Sequence, residues 1–196
     1  MLLKKGQLPV FIAVAVSVVF YTILFLKRKN YEFMIYIAVI IFFIFLIALA
    51  NKKINLPNYV LWWLAAWAIL HMSGGGLYIG GKKLYELMIL NIVGKPYSIF
   101  RFDQFVHIVG FFAATLAFYC ILKPRLKDTS RWTALSVILV MAGLGAGALN
   151  EIVEFTATVL VPETGVGGYE NTSLDLVADF IGAILGMAYI ISREKK

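Results

Sequence analysis

Six apolar runs, at about 8–26, 31–50, 58–79, 103–122, 132–161 and 173–192, leave almost no chain for anything else. Each is near or above the ~18 residues that mark a membrane-crossing helix. Inside hydrocarbon every backbone N–H and C=O must find its partner within the protein, and for separate segments of this length that means α-helix. The sequence therefore predicts an all-α, polytopic membrane helical bundle, a single transmembrane domain over residues 1–196. The first run follows Lys4 and Lys5, as the core of a signal peptide would. Its apolar stretch is too long for that, and no small-residue cleavage site precedes Lys27, so a retained helix is expected.

The net charge of +7 does not point to nucleic acid. Basic residues sit in short clusters that flank the runs: Lys27-Arg28-Lys29, Lys52-Lys53 and Arg193-Glu194-Lys195-Lys196. Such clusters anchor spans at the lipid headgroups, so the expected partners are membrane lipids, with no nucleic acid. The N-terminus, loops 2–3 and 4–5 and the C-terminus carry more Lys and Arg than the other three loops, and residues 161–172 carry none. By the positive-inside rule both termini are expected in the cytoplasm of a multi-pass protein of the cell (inner) membrane. The one cysteine, Cys120, excludes an internal disulfide and reads as a small apolar filler of the fourth helix.

The last three runs share a polar register. One reads Asp103-x3-His107-x2-Gly110-x3-Ala114, and another Asp175-x3-Asp179-x2-Gly182-x3-Gly186. Between them lies the reverse order, Gly143-x3-Gly147-x2-Asn150-Glu151-x2-Glu154. At helical periodicity each set occupies a stripe roughly 100° wide. Helices 4 and 6 run one way and helix 5 the other, so all six ionisable groups meet at one membrane face. From Arg131 to Glu151 is about 30 Å of helix, the thickness of the hydrocarbon core. With the termini inside, the group faces outward. Small residues along the same stripes let the three axes approach closely, as packing within a membrane requires.

Ionisable groups within spans cost about 2.5–3.5 kcal/mol each and are retained for a reason. Capping gives a bland account of two of them. Asp103 fits an N-cap of helix 4, and Thr172-x2-Asp175 a capping box. It gives none for His107, Glu151, Glu154 or Asp179, each a turn or more inside its helix. Two carboxylates about 6 Å apart repel by ~2.8 kcal/mol at an effective dielectric of ~20, so the set needs protons or a cation. Oxygen-rich ligands with one imidazole suit Mg²⁺, Mn²⁺ or Zn²⁺. Asp103, His107, Glu151 and Asp175 are the expected metal ligands, and Glu154 or Asp179 the catalytic base. Serine-nucleophile motifs, phosphate-binding glycine loops and the Glu-x2-His pair of di-iron bundles are absent.

Residues 73–101 form the least regular stretch. Gly74-Gly75-Gly76 and Gly80-Gly81 are expected to break helix 3. Residues 84–93 read as a short amphipathic helix through Leu84, Leu87, Met88 and Ile92, in a re-entrant or interfacial element, with a plain surface loop as the alternative. His71, in an aromatic-rich helix, is expected to hydrogen-bond a neighbouring hydroxyl or backbone group. Asn171-Thr172-Ser173 matches a glycosylation acceptor, a frequent chance pattern.

The run Phe102-Asp103-Gln104-Phe105-Val106-His107, then Asn150-Glu151-x2-Glu154, then Asp175-x3-Asp179-x2-Gly182-Ala183-x2-Gly186 resembles the YjdF-type bacterial membrane proteins, and more distantly the VanZ-like family. The likeness covers roughly residues 100–188. The VanZ-like family is associated with resistance to glycopeptide antibiotics of the teicoplanin type. It carries Gln where this chain has Glu154 and Asn where it has Asp179, while acids remain at Glu151 and Asp175. The resemblance thus implies an outward-facing polar site in which charge matters most at Glu151 and Asp175. Together these features suggest a metal-dependent enzyme or binder acting on a lipid-linked or cell-envelope substrate: a phospholipid, a polyprenyl-phosphate carrier or a cell-wall precursor. A cation- or proton-coupled transporter and a structural or accessory membrane protein are the alternatives.

Overall fold

Six helices account for most of the chain: α1 Leu8–Arg28, α2 Tyr31–Ile54, α3 Asn58–Gly76, α4 Phe102–Leu122, α5 Trp132–Leu160 and α6 Tyr169–Glu194. This computed structural model describes residues 4–94, 97–126, 132–161 and 164–194. Arg131, Lys195, Lys196 and, in the acidic loop, Pro162 and Glu163 lie outside the described residues. The helix ends are written locally. Pro9 falls in the first turn of α1, where its missing N–H costs nothing. Lys29 takes a left-handed conformation (φ 54°) that closes α1, and the Asn30 side chain accepts from the Phe33 N–H to open α2. Asn55 (φ 56°) ends α2 in the same way as Lys29 ends α1. Such short connections make sequential helices antiparallel.

Among the described residues, five of the six helices are long and apolar enough to cross a membrane. The 19-residue α3 is less apolar because it carries Trp62, Trp63, Trp67, His71, Ser73 and three glycines. It nonetheless runs beside α1 from end to end. Gly6 lies against Asn58 at one end, and Arg28 donates to the Gly76 carbonyl at the other. The expected six-helix bundle is the fold. α4 is its hub, packed on α3, α5 and α6. One apolar core joins α1, α2 and α3 through Phe25, Phe33, Ile37 and Met72. A second joins α3, α4, α5 and α6 through Val60, Leu116, Leu139 and Met187.

Two local expectations are corrected. Gly74, Gly75 and Gly76 do not break α3 but form its buried last turn. Aromatic rings stand on these residues: a Cβ would collide with Tyr85 at Gly74, Phe33 at Gly75 and Tyr21 at Gly76. The glycines are space for rings, and helix is retained because the rings bury it. Residues 84–93 are not a helix either. β1 (Tyr78–Ile79) pairs with β2 (Lys82–Lys83) around Gly80-Gly81, both at positive φ as a tight hairpin turn demands. A single 3-10 turn, Leu84–Glu86, leads into β3 (Met88–Val93), which pairs antiparallel with β4 (Ile99–Arg101). The β-branched residues Ile89, Ile92 and Val93 favour the extended form, and β4 supplies backbone partners that an isolated turn of helix lacks. Leu90 and Ile92 are 60% exposed, which suits a headgroup interface better than water.

Candidate functional site

The polar stripes converge because glycine lets the helices touch. α4 and α6 run parallel so closely that a Cβ on Gly182 would collide with the Ile108 carbonyl oxygen. α5 runs antiparallel to both. Gly147 faces the Asp179 carboxylate, which occupies the space where a Cβ would stand, and Gly143 packs on Thr115 and Ala183. In this frame the six predicted residues come together at one end of the bundle. Asp175 and Asp179 are completely buried, His107 is 4% and Glu151 8% exposed, and Asp103 and Glu154 are half-buried.

His107 is the centre. Its Nδ1 lies 2.8 Å from Asp179 Oδ1, while Nε2 lies 3.9 Å from Asp103 Oδ1 and 4.0 Å from Glu154 Oε1. Two triads share it: Asp103, His107 and Asp175, and His107, Glu151 and Asp179, each with ligand atoms within 4.8 Å of one another. Two ligands about 2.1 Å from a common ion stand at most ~4.2 Å apart. The observed spacings therefore sit at or just outside an ion shell. With Nδ1 committed to Asp179, Nε2 is the nitrogen left to face an ion, the arrangement that commonly orients a metal-binding histidine.

Side-chain amides hold several of the acids. Gln104 Nε2 donates to Asp175 Oδ1 at 3.0 Å, and Asn171 Nδ2 donates to Asp175 Oδ2 at 2.5 Å and to Asp103 Oδ2 at 3.4 Å. Asn150 Nδ2 donates to Glu154 Oε1 at 2.9 Å. Both oxygens of Glu151 and Oδ2 of Asp179 are buried with no hydrogen-bond partner among the described residues. The capping account fails at both positions it covered. Gln104 Oε1 accepts the Arg101 N–H at the start of α4, and α6 begins at Tyr169, well before Asp175.

Gln104 and Asn171 were not recognised from sequence as part of the site. Their signal was present in the spacing: Gln104 lies three residues before His107, and Asn171 four before Asp175, each on its helix's polar stripe. His71 behaves as expected, with the Tyr85 hydroxyl 2.6 Å from its Nδ1 and 3.0 Å from its carbonyl oxygen. Burial pushes the Tyr85 hydroxyl well above the usual phenol range, and the Asp103 and Glu154 charges push it the same way, so it remains a neutral donor. Beside the site is a cavity of about 60 Å³ lined by Tyr36, His71, Lys83, Tyr85, Asp103 and Glu154, among others. Its rim is tied down by Glu32, buried at the start of α2. Oε2 of Glu32 accepts the Gly165 N–H at 2.7 Å and lies 3.8 Å from Lys83 Nζ.

The chain belongs to the family described as "Predicted membrane protein (DUF2238)", which matches residues 8–196. It is similar to an "Uncharacterized protein" of Thermotoga maritima, 33% identical over 99 residues, which is 50% of this chain and 51% of that protein. The matched stretch thus spans about half the length of that relative. No solved structure matches the chain. The protein is a multi-pass membrane protein.

Proposed function

We propose that the protein holds a divalent metal ion between α4, α5 and α6, and uses it at one membrane face on a lipid-linked or cell-envelope substrate. The observation that carries this reading is the pair of orphaned Glu151 oxygens, buried beside His107. Leaving buried carboxylate oxygens unpaired costs several kcal/mol, and a cation compensates several of them at once. In this reading Asp103, His107 through Nε2, Glu151 and Asp175 hold the ion. Glu154, beside the same nitrogen, is the general base. Asp179 positions His107. Mg²⁺, Mn²⁺ or Zn²⁺ suits a ligand set of carboxylates and one imidazole. Such an ion polarises phosphoryl or acyl oxygens and activates water.

The basic clusters support cytoplasmic termini, which turns the site outward in the cell (inner) membrane. The resemblance to the VanZ-like family, associated with resistance to glycopeptide antibiotics, supports an envelope role. Transport has less support. Past Gly143 and Gly186 the α4–α5–α6 interface is filled by Thr115, Leu116, Leu139 and Met187, whereas a pathway needs polar groups at more than one depth.

The test is elemental analysis and Mn²⁺ titration of purified protein. Wild type is expected to carry a stoichiometric ion, and His107→Gln and Glu151→Gln to lose it while keeping their helical circular dichroism. Protein that takes up none of Mg²⁺, Mn²⁺ or Zn²⁺ at millimolar concentration refutes the reading.

A further inference from the structure

The polar cavity has an apolar neighbour. Between α1, α2 and α3 lies a second cavity of about 280 Å³ with aliphatic and aromatic walls, including Val14, Val18, Ile44, Ile47 and Leu64. Gln7 and Asn51, at its far end, are the polar residues that line it, and their amides are already spent. They bond each other, with Gln7 also donating to the Leu56 carbonyl and Asn51 accepting the Leu56 N–H. A polar ligand gains nothing there.

The two cavities lie in line along the α2–α3 seam. On α2, Tyr36 lines the polar one and Ile40 the apolar one; on α3, His71 lines the polar one, and Trp67 and Ala68 the apolar one. One helical turn, about 5.4 Å, separates them. The partition is a group of rings. Tyr36 and Trp67 stand 5.4 Å and 5.7 Å from the His71 ring, centroid to centroid. Tyr36 is 6% exposed and its hydroxyl has no partner among the described residues. A buried, unpaired hydroxyl at the boundary of a polar and an apolar chamber is a donor placed for a ligand that crosses that boundary.

We propose that the apolar slot takes the hydrocarbon chain of a phosphate-headed membrane lipid, whose head group lies in the cavity beside Asp103 and Glu154. The slot follows α1 from Gln7 to Val18, about 16 Å of helix, long enough for the greater part of an acyl chain. Phe11 and Ile41, each half exposed on its flank, face the lipid from which such a chain would enter. The head-group half rests on the metal reading, because a phosphate among carboxylates needs a cation. Lys83, on the wall of the same cavity, supplies a second positive charge. The Tyr36 hydroxyl donates to the head group at its junction with the chain.

The probe is phosphatidylglycerol with a diazirine on its acyl chain, photolysed with the protein in nanodiscs, the labelled peptides being mapped by mass spectrometry. Labelling is expected to concentrate in residues 10–18 and 40–48 and to be competed by unlabelled phosphatidylglycerol, but far less by diacylglycerol, which lacks the phosphate. Ala15→Phe and Ala48→Phe fill the slot and are expected to cut that labelling by at least about fivefold, a loss of ~1 kcal/mol, with Mn²⁺ binding unchanged. Tyr36→Phe keeps the labelling pattern but weakens competition by the unlabelled lipid. Labelling as strong at the lipid-facing Leu149 and Phe155 as in the slot, or undiminished in both filled variants, overturns the proposal while leaving the metal reading intact. Slot labelling in protein that takes up none of Mg²⁺, Mn²⁺ or Zn²⁺ overturns the metal reading and the head-group half together.

Discussion

Asp179 shows how one side chain's role depends on which atom it faces. Its Oδ1 is 2.8 Å from His107 Nδ1, so it sets the ring's orientation and leaves Nε2 toward Asp103 and Glu154. An amide in its place still accepts the Nδ1 proton but carries no charge. Asp179→Asn is therefore expected to lower Mn²⁺ affinity by about 10–100-fold, the usual cost of altering a ligand's supporting partner, without abolishing binding. Asp179→Ala, which frees the ring, should lose more, and equal affinities for the two variants would remove the orienting role. At this scale the sequence was informative about side chains that share a helix face. The spacing of Asp103 and His107, and of Asp175 and Asp179, places each pair on one stripe whatever the tertiary structure does. It was silent on Gln104 and Asn171 as acid-holding amides, because which carboxylate an amide reaches is fixed by the register between helices, and periodicity within one helix carries no such information.

Helices are separated here by as little as the glycines permit, and the cost of a methyl group differs sharply with position. Gly182 lies on the Ile108 carbonyl, which cannot step aside without moving α4. Gly182→Ala is expected to destabilise the protein by ~1–3 kcal/mol and to loosen the proposed metal site. Gly145, on the same helix as Gly147, has nothing within 4 Å of where its Cβ would be. Gly145→Ala should therefore be neutral or slightly stabilising, by up to about 1 kcal/mol, through helix propensity alone. Thermal unfolding in one detergent compares the two, and a similar melting temperature for both variants would contradict the close α4–α6 contact. The six apolar runs were legible as helices because length and hydrophobicity suffice for a span. The 84–93 segment was not. Leu84, Leu87, Met88 and Ile92 fall at helical intervals, yet a hairpin is decided by its partner strand, and Ile99–Arg101 carries no mark that pairs it with β3. Gly74–Gly76 misled for a related reason: a run of glycines reads as a breaker until the rings that occupy its space are known.

For the whole molecule the asymmetry of its two ends is the main fact. One end gathers His107, its acids and the β-hairpins; the other is closed by apolar packing and by the Gln7–Asn51 pair. A reporter fused at Gly168 is expected to be active outside the cytoplasm, and reconstituted vesicles should show no cation flux that Glu151→Gln abolishes. A cytoplasmic reporter reverses the orientation, and such a flux would promote transport over chemistry at the face. A hydrogen bond ties α2 to the α5–α6 connection. Glu32 belongs to α2, the outer wall of the apolar slot, and its carboxylate grips the Gly165 N–H in the connection that leads into α6. A sideways step of α2 wide enough to admit a chain would carry Glu32 with it and tug on the α5–α6 connection above the acids. Filling the slot and uncovering the site would then be one movement, with Glu32 as its latch.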